Sequence, residues 1–157
     1  MMKTVKNRQK RFFYVILVIV WMILVFSFSN QNGDKSQSTS DIITDKVVEI
    51  ITKINSSVEY ESTKACISFI IRKLAHFSIY FVGGILIFNF VNTFSIKLKY
   101  KILLSIIFGV LYAISDEVHQ FFIAERSAQI KDVLIDSLGI IIAIFLRSKL
   151  EGEKWKN

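Results

Sequence analysis

Cysteine is nearly missing from this chain. Cys66 is the only one in 157 residues, so no disulfide closes within the chain and no cysteine-rich metal site can form. The role expected for Cys66 is that of a small, buried apolar side chain. No HExxH spacing is present and no GxSxG nucleophile elbow, so the sequence carries neither of those catalytic signatures. Basic and aromatic residues do not interleave in the manner that grips single strands, and nucleic acid is not an expected partner despite a net charge of +7. Proline and internal repeats are also missing, but neither absence decides anything.

What is there is apolar and blocked. The chain is 52% hydrophobic yet 21% charged. Its apolar residues run in long stretches, with the charges gathered between them. That division argues for a single-domain, all-α polytopic membrane protein occupying residues 1–157. Residues 12–28 hold seventeen positions without a charge, preceded by Lys10 and Arg11. This run exceeds a signal-peptide core of roughly 7–15 residues and includes bulky Trp21 and Phe26, so it is read as a retained transmembrane helix. Further spans are expected at about 74–94, 102–123 and 127–146, the second within a helix running from about Ser62 to Asn92. The fourth reaches spanning length only if Asp132 and Asp136 enter the membrane with it.

Between the first two spans the pattern changes. Ile43, Val47, Ile50, Ile51 and Ile54 recur at helical spacing, while Asp45, Lys46, Glu49 and Lys53 fall elsewhere. An amphipathic helix over 41–54 follows, too charged to cross a bilayer. Either it lies on the membrane surface or it packs against the protein's own outer face. Orientation comes from Lys and Arg. The N-terminus, the 95–101 loop and the C-terminal tail carry twelve of the twenty, which places both termini of a multi-pass cell-membrane protein in the cytoplasm.

The third span ends on "ISDEVHQFF", residues 114–122. With that orientation Asp116 lies about 9 Å below Phe122, inside the outer half of a hydrocarbon core about 30 Å thick. An unpaired acid at mid-helix costs at least ~2.5 kcal/mol on insertion scales, so partners are required. On a helix Tyr112, Asp116, His119 and Gln120 fall near one another, with Glu117 beside Gln120. The second span carries Arg72, His76 and Tyr80 in one stripe, followed by Gly83 and Gly84, which permit close helix approach. The fourth carries Asp132 and Asp136, and the turn before it supplies Arg126. The expectation is one polar pocket, open to the exterior, built from three helices. Lys73 is expected to snorkel toward headgroups. His119 is assigned to packing or a hydrogen bond, and Ser115 to a bond back to its own helical turn. Trp21 is expected to pack or to face lipid.

Four elements in order resemble the VanZ-like family of membrane proteins, named for a teicoplanin-resistance determinant. "FSFSNQNGDKSQSTS" is similar to that family's opening after the first helix, at Ser29, Gln31 and Ser36. "RKLAHFSIYFVGG" resembles its K-x-x-H-F-x-E-Y element at Lys73, His76, Phe77 and Tyr80, with Ile79 where the family's acid usually stands. "SDEVHQFF" matches SDE-x-x-Q at Ser115, Asp116, Glu117 and Gln120. "ERSAQIKDVLIDSLG" resembles the last element at Arg126, Asp132, Asp136 and Gly139. The resemblance covers most of the chain and implies low-level resistance to teicoplanin-type, lipid-bearing glycopeptide antibiotics.

The first functional reading is a binding protein of the cell envelope whose ligand-binding residues are His76, Tyr80, Asp116, Glu117, Gln120, Arg126, Asp132 and Asp136. Its partners would be membrane lipid and a lipid-linked cell-wall precursor or lipoglycopeptide. Arg126, Arg72 and Lys73 would hold an anionic group, and Asp116, Glu117 and Asp136 would take sugar or amine groups. The second reading is a membrane-embedded hydrolase or transferase on a lipid precursor, with His76, Glu117 or Asp116 as catalytic candidates. No metal site is expected, although carboxylates with imidazole would suit a divalent cation under that second reading. The residues name no cofactor. A purely structural cluster and a proton relay are the remaining alternatives.

Overall fold

A computed structural model describes residues 2–30, 33–55, 59–123 and 129–153, with side chains described within 7–30, 41–55, 59–123 and 129–151. Five helices account for almost all of it: α1 Met2–Ser29, α2 Gly33–Ile54, α3 Tyr60–Asn92, α4 Leu98–Phe121 and α5 Ile130–Glu153, with no strand among the described residues. The chain is all-α, as its composition requires. Among the described residues, three helices are long and apolar enough to cross a membrane: Asn7–Ser29, Tyr60–Asn92 and Leu98–Phe121. The fourth expected span, 127–146, falls on α5, which is not among these three. Its charge-free stretch between Asp136 and Arg147 is only ten residues long. The segment expected as an amphipathic helix, 41–54, is helical, within a helix that begins at Gly33.

Contacts set the directions of the helices. Lys73, His76 and Phe77 of α3 lie beside Asp132, Asp136 and Gly139 of α5, and Gly84 lies beside Ile140 and Ala143. The two helices therefore run parallel, side by side, over the same depth. Helices α1 and α4 run together, since Met22 meets Tyr112 and Ser29 meets Asp116, and opposite to α3, since Trp21 meets Ile79 and Arg11 meets Thr93. Close approach along the α3–α5 seam depends on missing side chains. A Cβ on Gly139 would sit 2.6 Å from the carbonyl oxygen of Phe77, and one on Gly84 would sit 2.8 Å from that of Ile140. Backbone cannot yield as a flexible side chain can, so these positions admit only glycine at this helix separation.

The buried core gathers Val18, Trp21 and Val25 from α1 with Tyr80, Ile87 and Phe88 from α3, Ala113 from α4, and Ile140 and Ile144 from α5. Trp21 lies against Gly83, its indole N–H donating to the carbonyl of Ile79 at 2.9 Å, and its ring meets Tyr80 edge-on. Packing, not lipid exposure, is thus its role. Most of the remaining apolar surface, including Phe12, Ile16, Ile23, Leu104, Leu111, Val118 and Phe145, is exposed. In water that surface would be an aggregation hazard; in a bilayer it is the ordinary exterior of a helical protein.

The two ends of the bundle differ. At one end Arg11 donates to the Thr93 hydroxyl at 3.3 Å and lies 4.0 Å over the Phe94 ring, and Lys101 donates to Asn92 Oδ1 at 2.7 Å. Basic side chains clasp the α3–α4 turn there. At the other end the 33-residue helix α3, about 50 Å long, outreaches its neighbours. Its first turns pack on α2 through buried Thr44, Val48 and Ser68 and the Lys64–Asp45 ion pair at 2.7 Å. The stripe containing Ile43, Ile50 and Ile54 stays exposed, because the neighbouring face of α2 is the one that meets α3. Cys66 is exposed too, which corrects the expectation of burial. It lies on the part of α3 that precedes Lys73, where most of the described side chains are exposed.

Candidate functional site

The polar residues of α3, α4 and α5 converge near the end of the bundle where α1 and α4 stop and α5 starts. At the centre is Asp116. It is 5% exposed, and three donors satisfy it. Ser29 donates its hydroxyl to Oδ1 at 2.6 Å; Tyr80 OH and Gln120 Nε2 each donate to Oδ2 at 3.0 Å. Gln120 also reaches Ser29 Oγ at 3.3 Å. One carboxylate thereby ties α1, α3 and α4. The partners that an acid below the membrane surface requires are all supplied by the protein.

A second group lies on the α3–α5 side. Lys73 pairs with Asp132, both largely buried, so its ammonium is committed within the bundle instead of reaching for headgroups. One turn deeper, His76 Nδ1 lies 3.3 Å from Asp136 Oδ1. That contact is close enough for an ion pair, but it is misaligned: neither atom makes a hydrogen bond, and neither does Asp136 Oδ2. Asp136 is only 1% exposed. Glu117 is similar. Its Oε1 accepts from the backbone N–H of Gln129, while its buried Oε2 has no hydrogen-bond partner among the described residues. The two groups meet on α3, where Tyr80, bonded to Asp116, and His76, beside Asp136, are one helical turn apart.

Of the eight expected site residues, seven come together here: His76, Tyr80, Asp116, Glu117, Gln120, Asp132 and Asp136. Arg126 lies outside the described residues, as do Gln31 and Ser36 of the first sequence element. Arg72 is exposed. Tyr112 is diverted from the cluster and donates to the Met22 carbonyl at 2.7 Å. His119 stacks on Phe26 with ring centroids 4.4 Å apart, consistent with packing. Ser115 Oγ bonds back to Tyr112 O at 2.7 Å, as expected. Ile79 is half-buried and packs against the core, where its carbonyl serves Trp21.

Ser29 was not expected at the site. Its only signal was its place in the first motif, next to turn-forming residues that made it look like a helix terminus. Among the described residues, no three His, Cys, Asp or Glu side chains come together as a metal-binding group.

Helices of membrane-crossing length and an apolar exterior define an integral membrane protein. Residues 13–150 match the VanZ/LLP1 family, and the chain belongs to it. No curated protein and no solved structure matches the chain.

Proposed function

We propose that this protein crosses the cell membrane four times, with both termini cytoplasmic. Its outward polar cluster binds a lipid-linked envelope molecule or a lipoglycopeptide, and so contributes to teicoplanin-type resistance. The fourth crossing is supported by the parallel seam of α3 and α5: a helix lying beside a spanning helix through Gly84 and Gly139 occupies the same depth of bilayer. Its acids enter with partners, Asp132 with Lys73 and Asp136 beside His76. The basic clasp around Arg11 and Lys101 belongs at the cytoplasmic face by the distribution of positive charge. The acidic cluster then faces the outer leaflet, where wall precursors and lipid-bearing drugs meet the membrane. Helix α2 rests at that outer interface, with Ile43, Ile50 and Ile54 toward lipid.

One observation carries the binding reading. Beside the saturated Asp116, three buried carboxylate oxygens of Glu117 and Asp136 have no hydrogen-bond donor among the described residues. Buried polar atoms left open in this way are rare in finished cores and mark places where something else completes the site. Glu117→Gln keeps the shape and removes the charge. The expected outcome is normal membrane insertion with lost teicoplanin resistance in cells that depend on the protein. Unchanged drug sensitivity after deletion of the whole protein would remove the resistance claim.

The enzyme reading draws on His76 and Asp136 alone. His76 Nδ1 lies 3.3 Å from Asp136 Oδ1, and an imidazole beside a carboxylate is a pairing used for general-base work. Purified protein incubated with lipid-linked wall precursors tests it directly, and absence of turnover at any pH between 5 and 9 rejects it.

A further inference from the structure

We infer that the basic end of the bundle, centred on Arg11 and Lys101, is a docking surface for phospholipids with net-negative headgroups. It lies at the opposite end from the polar cluster and does not depend on what that cluster binds.

Four helix ends meet there. Arg11 donates to the hydroxyl and carbonyl oxygens of Thr93 at 3.3 and 3.4 Å, and Lys101 donates to Asn92 Oδ1 at 2.7 Å. These bonds bring the first turns of α1 and α4 to the end of α3. The end of α5 joins them. Gly84 lies beside Ile140 and Ala143, so Asn92, eight residues further along α3, is level with residues 147–151. Residues 7–11, 97–101 and 147–151 together hold eight Lys and Arg against one acid, Glu151.

The described protein does not neutralise this charge. Glu151 pairs with Arg147 at 3.7 Å. Arg11 and Lys101 rest on neutral oxygens at the C-terminus of α3, which is equivalent to roughly half a negative charge. Helix capping thus offsets only part of two cations, and the exposed Lys10, Lys97 and Lys99 add to the excess. The missing counter-charge is anionic. A soluble polyanion would suit the charge but not the surface, because exposed Phe12, Phe13, Ile96, Leu98 and Tyr100 alternate with these cations. Such a surface needs hydrocarbon and anions at the same depth. The boundary between acyl chains and anionic headgroups supplies both. Arg11 spends two of its five N–H groups on Thr93, and a guanidinium binds phosphate oxygens through donors of this kind.

The test uses the full-length protein in neutral detergent, with lipid binding read by native mass spectrometry. Phosphatidylglycerol is titrated against phosphatidylcholine of the same acyl chains. The expected preference for phosphatidylglycerol is at least about tenfold, since each basic side chain near an anionic surface contributes roughly a factor of five. It weakens as ionic strength rises, because exposed charges are screened. The double variant Arg11→Gln/Lys101→Gln lowers it at least about threefold. The exchange Arg11→Lys/Lys101→Arg, which keeps both charges, retains it. Lys53→Gln/Lys64→Gln removes the same charge from α2 and the start of α3, at the far end, and leaves it unchanged. Should the central variant fail to fold, Lys97→Gln/Lys99→Gln reads the same surface through exposed side chains, with a fall of at least about twofold. No preference in the unsubstituted protein overturns the inference. So does an equal fall in the far-end variant, or a preference that survives every substitution at the basic end. Displacement of bound phosphatidylglycerol by glycerol 3-phosphate, or by a short RNA, also overturns it, since either would show a site for soluble anions.

Discussion

Asp116 and Asp136 are two buried carboxylates in one cluster, on facing helices, with opposite surroundings. Asp116 has a full set of donors from three helices; Asp136 has none, only a misaligned imidazole. Burial is common to both; hydrogen-bond satisfaction is what separates them, and the proposed binding role rests on that difference. A fully bonded carboxylate holds helices in register, whereas an open one stores a desolvation cost that a ligand can relieve.

The comparison breaks if both acids respond alike to the same change. Asp116→Asn turns one of its oxygens into a donor facing other donors, so Ser29 or the Tyr80–Gln120 pair loses its acceptor. Interhelical hydrogen bonds in bilayers are worth roughly 0.6 kcal/mol each on average, and buried donors left without a partner cost more, so the expected loss is about 2 kcal/mol. Unfolding in mixed micelles with increasing denaturing detergent measures it. Tyr80→Phe removes one donor and leaves Asp116 two, with an expected loss of about 1 kcal/mol. Asp136→Asn should change stability by less than about 0.5 kcal/mol, because it keeps the shape and removes no hydrogen bond seen among the described residues. A large destabilisation by Asp136→Asn would mean that this acid, too, holds the bundle together.

That contrast was only half legible in the sequence. The helices themselves were plain, since α1, α3 and α4 rest on long apolar runs whose ends carry the charges. Helical spacing placed His76 and Tyr80 on one stripe and Asp132 and Asp136 on another, and both stripes do enter the cluster. Spacing along one helix does not say which neighbour a side chain meets. Tyr112 and Asp116 share a face of α4, yet Tyr112 turns to the Met22 carbonyl of α1 while Asp116 takes donors from α1 and α3. Nothing in the pattern showed that Lys73 would be consumed by Asp132, fifty-nine positions away. Cys66 failed for a related reason. Its apolar character suggested a core, but α3 outgrows the bundle, and a helix that projects has few neighbours to bury it.

The α2–α3 contact sharpens the comparison from the solvent side, because its acid is paired but not buried. Asp45 accepts from Lys64 at 2.7 Å and from Tyr60 OH at 3.2 Å, and the Lys64 ammonium holds its carboxyl below the usual range. A lowered folded-state value means that the stabilisation is fully present above the unfolded carboxylate value of about 3.9 and is lost as pH falls through the folded one. Amide exchange in α2 should therefore be unchanged from pH 7 to 5, after correction for intrinsic rates, and rise only below about 4. Lys64→Ala should erase that acid-dependent step while leaving the Asp116 helices protected. The effect will be the smallest of the series, since exposed pairs are screened by salt and water. An acid step that persists without Lys64 would place the controlling carboxylate elsewhere in α2 or α3, with Glu49 the next to test because it pairs with Lys53 at 2.7 Å on the same helix.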